Sequence, residues 1–323
     1  MITVSHISKR FVVSKRKSGL KSAAKSLFCR EKEWIQALDN ISFTIPDGQI
    51  VGYIGPNGAG KSTTVKILSG ILTPDSGECI INGRIPWKQR KEHVAEIGVV
   101  FGQRSQLWWD VPVGDSFELL RDIYRIPESR YRDNVSELSK RLELENLLRT
   151  PARQLSLGQR MRCEIAASLL HDPKVLFLDE PTIGLDAVSK LAVRDFIREI
   201  NRERGVTVIL TTHDMQDIEA LAQRILLIGK GKVLLDGTLE QLQQQYGQGS
   251  VTVSYSSGQV EGLSGLKIVE HQPGNLTVAT DGTREDTAKV IARLTEALTI
   301  TDISVKGPDT EKLVLALYRE YKV

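Results

Sequence analysis

At 323 residues the chain has room for about two domains, and 41% hydrophobic and 26% charged residues with a net charge of +3 give no overall bias toward a highly charged partner. No apolar run reaches the roughly 18 residues a membrane helix needs, and the opening MITVSHISKRF lacks a signal-peptide core, so the chain is expected neither to span a membrane nor to be exported. Cys29, Cys79 and Cys163 are odd in number, far apart and without a CxxC pair, as expected of reduced thiols in a cytosolic protein. In chain order, residues 1–13 and 35–55 alternate as strands, with a turn at Pro46-Asp47-Gly48. Between them, residues 14–34 form an insertion of different composition. Leu20, Ala23, Ala24, Leu27 and Phe28 recur there at helical spacing, and Lys17, Lys21 and Lys25 lie off that stripe. A short basic amphipathic helix is expected, packed on its own domain or laid against a membrane or a membrane partner.

The stretch VGYIGPNGAGKSTTVKILSG over 51–70 follows. Gly55, Gly58 and Gly60 permit a tight turn whose backbone N–H groups face anionic oxygens, Lys61 would reach the terminal phosphates, and Ser62 would ligate magnesium. A helix starting near Ser62 adds the positive end of its dipole. Read structurally, the same residues are a Gly-rich turn between a strand and a helix; read functionally, they hold a nucleotide, as kinases, GTPases, helicases and transport ATPases all do. Helical, charged sequence occupies 113–148, broken at Pro127. KVLFLD and VTVILTT are continuously apolar and read as central parallel strands covered on both faces. ILLIGKGKVLLDGT reads as a hairpin closing a first domain near Gly237, and EQLQQQYGQGS as a helix end and linker over 238–249. Strands in VTVSYS, LKIVEH, LTVAT and ITDISVK, with helices at 284–298 and 309–321, give a small α+β domain over 250–323.

The strand VLFLD delivers Asp179 and Glu180 to its carboxyl end, where open α/β sheets bind ligands. Asp179 is expected to help hold magnesium, and Glu180 to be the general base that orients and polarises water. In QLSLGQRMRCEIAASLL, Ser156 and Gln159 have the spacing of a capping box, and with Gly158 the capped helix start is a second anion site. Two such sites in one chain suit two copies paired head to tail, each offering its capped helix to the other's γ-phosphate. The five histidines show no ligand spacing, so the only metal expected is the magnesium that accompanies a nucleotide.

On these residues the chain resembles the ATP-binding cassette (ABC) family over residues 1–237, with the signature LSGGQ matched by Leu155 to Gln159. The resemblance implies an α/β P-loop NTPase fold with a mixed sheet and a helical subdomain over about 113–170. It makes Gly55, Asn57, Gly58, Gly60, Lys61, Ser62 and Thr63 the phosphate loop, and 175–180 the strand that carries Asp179 and Glu180. Gly184-Leu185-Asp186 is similar to the loop that communicates between paired sites. His213 is similar to the switch histidine that contacts the γ-phosphate, Gln103 to the glutamine that senses magnesium and nucleotide, and Phe11 is the aromatic residue for adenine. Ser156, Gly158 and Gln159 would serve the partner's ATP.

Two features depart from the pattern: Leu157 stands in place of the first signature glycine, and the segment after Gln103 is unusually aromatic, with Trp108 and Trp109 read as core or as a surface gripping a membrane partner. The resemblance further implies ATP hydrolysis with magnesium, pairing of the chain with itself, and work passed to separate polytopic permease subunits on the cytoplasmic face of the cell membrane. The wording GPNGAGKST and EPTIGLD most resembles bacterial exporters of drugs, lipids or polysaccharides, with the C-terminal domain regulating or supporting the dimer. The alternative is a cassette ATPase acting on ribosomes or nucleic acid through Lys15, Arg16, Lys17, Lys21, Lys25 and Arg30. Such relatives usually carry two cassettes or long coiled coils, which this sequence lacks, so no nucleic-acid partner is expected.

Overall fold

A computed structural model describes residues 1–14, 32–102, 105–247, 249–307 and 310–321. The chain divides into two compact units, Met1–Asp236 and Gly237–Val323. In the first, β1 (Ile2–Ser14) and β2 (Lys32–Ile45) pair antiparallel to their far ends, where Ser14 faces Lys32. The expected amphipathic helix between them, with Leu20 and Phe28, lies outside the described residues, as does Cys29. β3 (Ile50–Ile54) leads through the loop at 55–60 into α1 (Lys61–Leu68). β4 (Ser76–Ile81) then pairs with β1 to complete a three-stranded sheet in the order β2-β1-β4. After α2 (Arg90–Val94) and β5 (Ile97–Phe101) come α3 (Val113–Tyr124) and α4 (Glu128–Leu142), and Pro127 caps the second of these as its ring demands. α5 (Leu157–Leu169), β6 (Val175–Asp179), α6 (Ala187–Arg204), β7 (Thr207–Thr211), α7 (Met215–Leu221), β8 (Arg224–Gly229) and β9 (Lys232–Gly237) complete this part.

The main sheet runs β5-β6-β7-β3-β8-β9, with β5, β6, β7, β3 and β8 parallel. Its central strands are apolar throughout because both faces are buried. Leu176, Leu178, Val208 and Leu210 belong to a core with the helices, including Phe117, Leu138 and Ile165. Val175, Phe177 and Ile209 point into a second core with Ile2, Val4 and Phe43 of the antiparallel sheet and Val65 and Leu68 of α1. This alternation within continuous apolar runs is what a covered parallel sheet requires. Cys79 and Cys163 are free and buried, and burial pushes both thiols up to about 12.

The second unit begins with α8 (Leu239–Tyr246), capped by a Thr238–Gln241 box, in the segment where a helix end and linker were expected. β10 (Gly249–Gly258), β11 (Ile268–Gln272), β12 (Asn275–Thr280), α9 (Arg284–Ala297), β13 (Leu298–Lys306) and α10 (Thr310–Glu320) follow. The sheet is antiparallel in the order β11-β12-β10-β13, and Val290 and Leu294 of α9 pack on Val251, Val253, Leu276 and Val278.

Candidate active site

Register aligns the carboxyl ends of the parallel strands. Phe101 of β5 lies beside Asp179 of β6, and Asp179 beside Thr211 of β7, so the loops leaving these strands converge at one edge of the sheet. The loop at 55–60 leaves β3 at the same edge and turns into α1 at Gly60, where φ is +113° and a Cβ would lie 2.6 Å from the Ala37 carbonyl oxygen. Only glycine meets both constraints. Asn57 and Gly58 are exposed at the tip of the loop, and Thr63 is half-buried one turn into α1. Buried Lys61 donates from Nζ to the carbonyl oxygens of Gly55 at 2.6 Å and Pro56 at 3.2 Å. Burial pulls its ammonium pKa down, while the charges of Glu180 and Asp179 oppose that shift.

Ser62 Oγ donates to Asp179 Oδ2 at 3.3 Å, and Thr211 Oγ1 donates to Asp179 Oδ1. The next residue, Glu180, has a left-handed backbone with φ +56° and donates its N–H to the Thr211 carbonyl. That turn aims its carboxylate at His213, whose Nδ1 lies 3.3 Å from Glu180 Oε1. Behind them a cavity of about 60 Å³ is lined by Glu180, Thr182, Gly184, Lys190, His213 and Asp214.

A buried ionic knot supports this wall. Asp217 of α7 is fully buried, and its carboxylate accepts from Arg194 Nε at 2.6 Å, from Thr212 Oγ1 at 3.0 Å and from Thr182 Oγ1. One carboxylate therefore joins the loop after Glu180, the residue before His213, and α6. The sequence reading missed Asp217, Arg194, Thr182, Thr211 and Thr212. No local pattern marks them: His213 precedes the Asp214 cap of α7, and Asp217 stands in the first turn of that helix.

The capped helix start forms as its spacing predicts: Ser156 Oγ accepts from Gln159 N–H at 3.2 Å, and Gln159 Oε1 accepts from Ser156 N–H at 2.9 Å. This end of α5 packs on the segment that opens α6. A Cβ on Gly184, where φ is +69°, would lie 2.8 Å from Leu157 Cδ2, so the leucine side chain fits because Gly184 has none. Asp186 caps α6 by accepting from Ser189 N–H at 2.9 Å and Ser189 Oγ at 2.8 Å, which holds its carboxyl below the usual range.

The structure thus gathers Lys61, Ser62, Asp179, Glu180 and His213 in one cluster, and Ser156, Gly158 and Asp186 in another. Phe11 is half-buried on β1, opposite Ile35, with Lys9 Nζ 5.8 Å from its ring centre. Gln103 lies outside the described residues. Trp108 and Trp109 are 41% and 52% exposed, which removes the core reading for both; Arg160 lies over the Trp109 ring at 5.8 Å.

Residues 38–183 match the family model described as ABC transporter. The chain is 30% identical to the ABC transporter ATP-binding protein NatA of Bacillus subtilis, over 73% of this chain and 96% of that one. It is 32% identical to the daunorubicin resistance ATP-binding protein DrrA3 of Streptomyces coeruleorubidus, over 87% of this chain and 91% of that one. Among solved structures, the ATP-binding cassette MJ0796, a dimer in a post-hydrolysis state bound to ADP and Pi, superposes with a TM-score of 0.62 at 28% identity, covering 74% of this chain and 99% of that one. Sequence and fold agree, and this chain belongs to the ABC transporter family as an ATP-binding, ATP-hydrolysing subunit.

Proposed function

We propose that two copies of this chain close head to tail around two ATP molecules, and that the closing and opening drive export through separate permease subunits at the cytoplasmic face of the membrane. The observation that carries the chemistry is the placement of Glu180. Its turn leaves a half-buried carboxylate between Asp179, which faces Ser62, and the ring of His213. Glu180 takes a proton from water as the water oxygen attacks the γ-phosphorus, the bond to the β,γ-bridging oxygen breaks, and ADP and phosphate result. Lys61 exchanges the Gly55 and Pro56 carbonyls for phosphate oxygens, a stronger, charge-assisted partnership. His213 and the partner's Ser156-capped helix meet the γ-phosphate from opposite sides.

The donors fit a magnesium ion: a serine hydroxyl and a carboxylate, both hard oxygens, stand 3.3 Å apart at the phosphate-loop end of α1. When bound, the ion neutralises charge on the β- and γ-phosphates; Ser62 would hold it directly, with Asp179 and Gln103 alongside.

Among the described residues no helix is long and apolar enough to cross a membrane, and the proposal gives the crossing to other chains. Export is supported by the likeness to DrrA3, which spans 292 residues and so extends past Asp236 into the second unit. The exposed Trp108 and Trp109 supply apolar surface for a permease contact.

Glu180→Gln tests the reading. ATP binding should persist, turnover should fall by about 10²–10⁴, and an ATP-bound dimer should accumulate on size exclusion. Normal turnover in this variant would remove Glu180 from the mechanism.

A further inference from the structure

Glu164 sits in the middle of α5 and is 4% exposed, two turns from the Ser156 cap. Its helix neighbours Met161, Cys163 and Ile165 are buried in the apolar core, where a carboxylate is costly unless something needs it. Burial pushes the Glu164 carboxyl up, and the Ser105 hydrogen bond draws it back down. Arg160 is near enough to act on it through charge, yet the direct donors are all on another segment. Ser105 Oγ donates to Oε1, the Gln106 N–H donates to Oε2 at 3.1 Å, and the Gln106 side-chain amide donates to the Glu164 carbonyl oxygen at 2.9 Å. Ser105 Oγ in turn accepts from the Leu107 N–H at 3.1 Å. Gln106 and Glu164 are 58 positions apart in the chain and are bridged by one buried side chain. The clasp borders a cavity of about 230 Å³ lined by Phe101, Gly102, Trp109, Arg160 and Met161.

We propose that Glu164 is a positioning residue that makes the segment 105–107 move with α5, so that an event at the Ser156 end of the helix, in the partner's nucleotide site, reaches the segment that follows Gln103 in this chain's own site. An apolar side chain at 164 would pack the helix but would leave the Gln106 N–H without its partner and the Ser105 hydroxyl with only the Leu107 carbonyl oxygen, 3.2 Å away on its own segment, to donate to. A discrete carboxylate joining two elements is a physical link of the kind that inter-site coupling requires. The inference rests on the assignment of Gln103 to the nucleotide site.

The test is a double-mutant cycle on the full chain, with MgATP as probe. Glu164→Ala and Ser105→Ala should each lower kcat about tenfold while the ATP affinity of the dilute chain stays within about twofold, and the double variant should be no worse than the poorer single one. Glu164→Gln should restore most of the turnover, because its amide oxygen can accept from Gln106 N–H while its NH2 donates to Ser105 Oγ. Losses that multiply in the double variant, or a Glu164→Gln as slow as Glu164→Ala, would overturn the clasp. If Glu164→Ala fails to fold, Ser105→Ala against Ser105→Thr decides: a slow alanine and a near-normal threonine support the link, and equal rates refute it. Gln103→Ala separates the two layers. A slow Gln103→Ala beside multiplying Glu164 and Ser105 losses condemns the clasp alone, whereas a fully active Gln103→Ala removes the assignment beneath it.

Discussion

Lys61 donates to two loop carbonyls, while the charges of Glu180 and Asp179 oppose the effect of burial on its ammonium group. Those bonds are internal and weaker than the ones a triphosphate offers, so the loop is ready for exchange. Lys61→Ala is expected to weaken ATP binding at least about tenfold, read by titration with a fluorescent nucleotide. At Asp217 the larger effect is on stability. Asp217→Asn leaves the buried Arg194 guanidinium with only the more distant Asp214 carboxylate, at 3.6 Å, and a loss of about 3 kcal/mol is expected in denaturant unfolding. Replacing both, Asp217→Leu with Arg194→Met, should recover much of that stability but not turnover, since Thr182 and Thr212 have lost the acceptor that fixes the loops around Glu180 and His213. The contiguous residues 55–63 were legible because a phosphate loop is built from consecutive backbone and needs no distant partner. Asp217 was not, because Arg194 and Thr182 stand 23 and 35 residues away, and no local pattern marks a buried carboxylate whose partners are supplied by other elements.

At the scale of elements, α5 shows how one local signal serves two ends. Ser156→Ala removes half of the capping box and should cost about 1 kcal/mol of stability. Ser156→Arg places bulk at the surface offered to the partner's nucleotide, so turnover should vanish while the dilute chain still binds ATP; equal loss of both would place this helix in its own chain's site. The cap was readable from residues three apart, Pro127 from its fixed ring, and β6 and β7 from unbroken apolar runs. β4 escaped notice. Only Cys79 and Ile81 of its six residues are buried, and its pairing with β1 spans more than sixty positions. Strand order across the main sheet was equally silent, because periodicity reports which faces are covered and not which strand lies alongside.

At the scale of the molecule, the two units have separate apolar cores, one set around the parallel sheet and one around β10 and β12. Residues 1–236 alone are therefore expected to fold, with a melting temperature within about 5 °C of the corresponding transition in the full chain, by calorimetry. A chain that fails to fold without its last 87 residues would show the units to be interdependent. Stability also bears on Glu180. A left-handed glutamate is disfavoured by about 1–3 kcal/mol, whereas asparagine and glycine accept that backbone readily. A library varied at this position and sorted only for heat resistance should enrich Asn and Gly, and each survivor should be a dead ATPase. Directed evolution toward hardiness would thus erode the machine at its most useful residue, and any thermostable descendant worth having must keep this one uncomfortable turn and find its gains elsewhere.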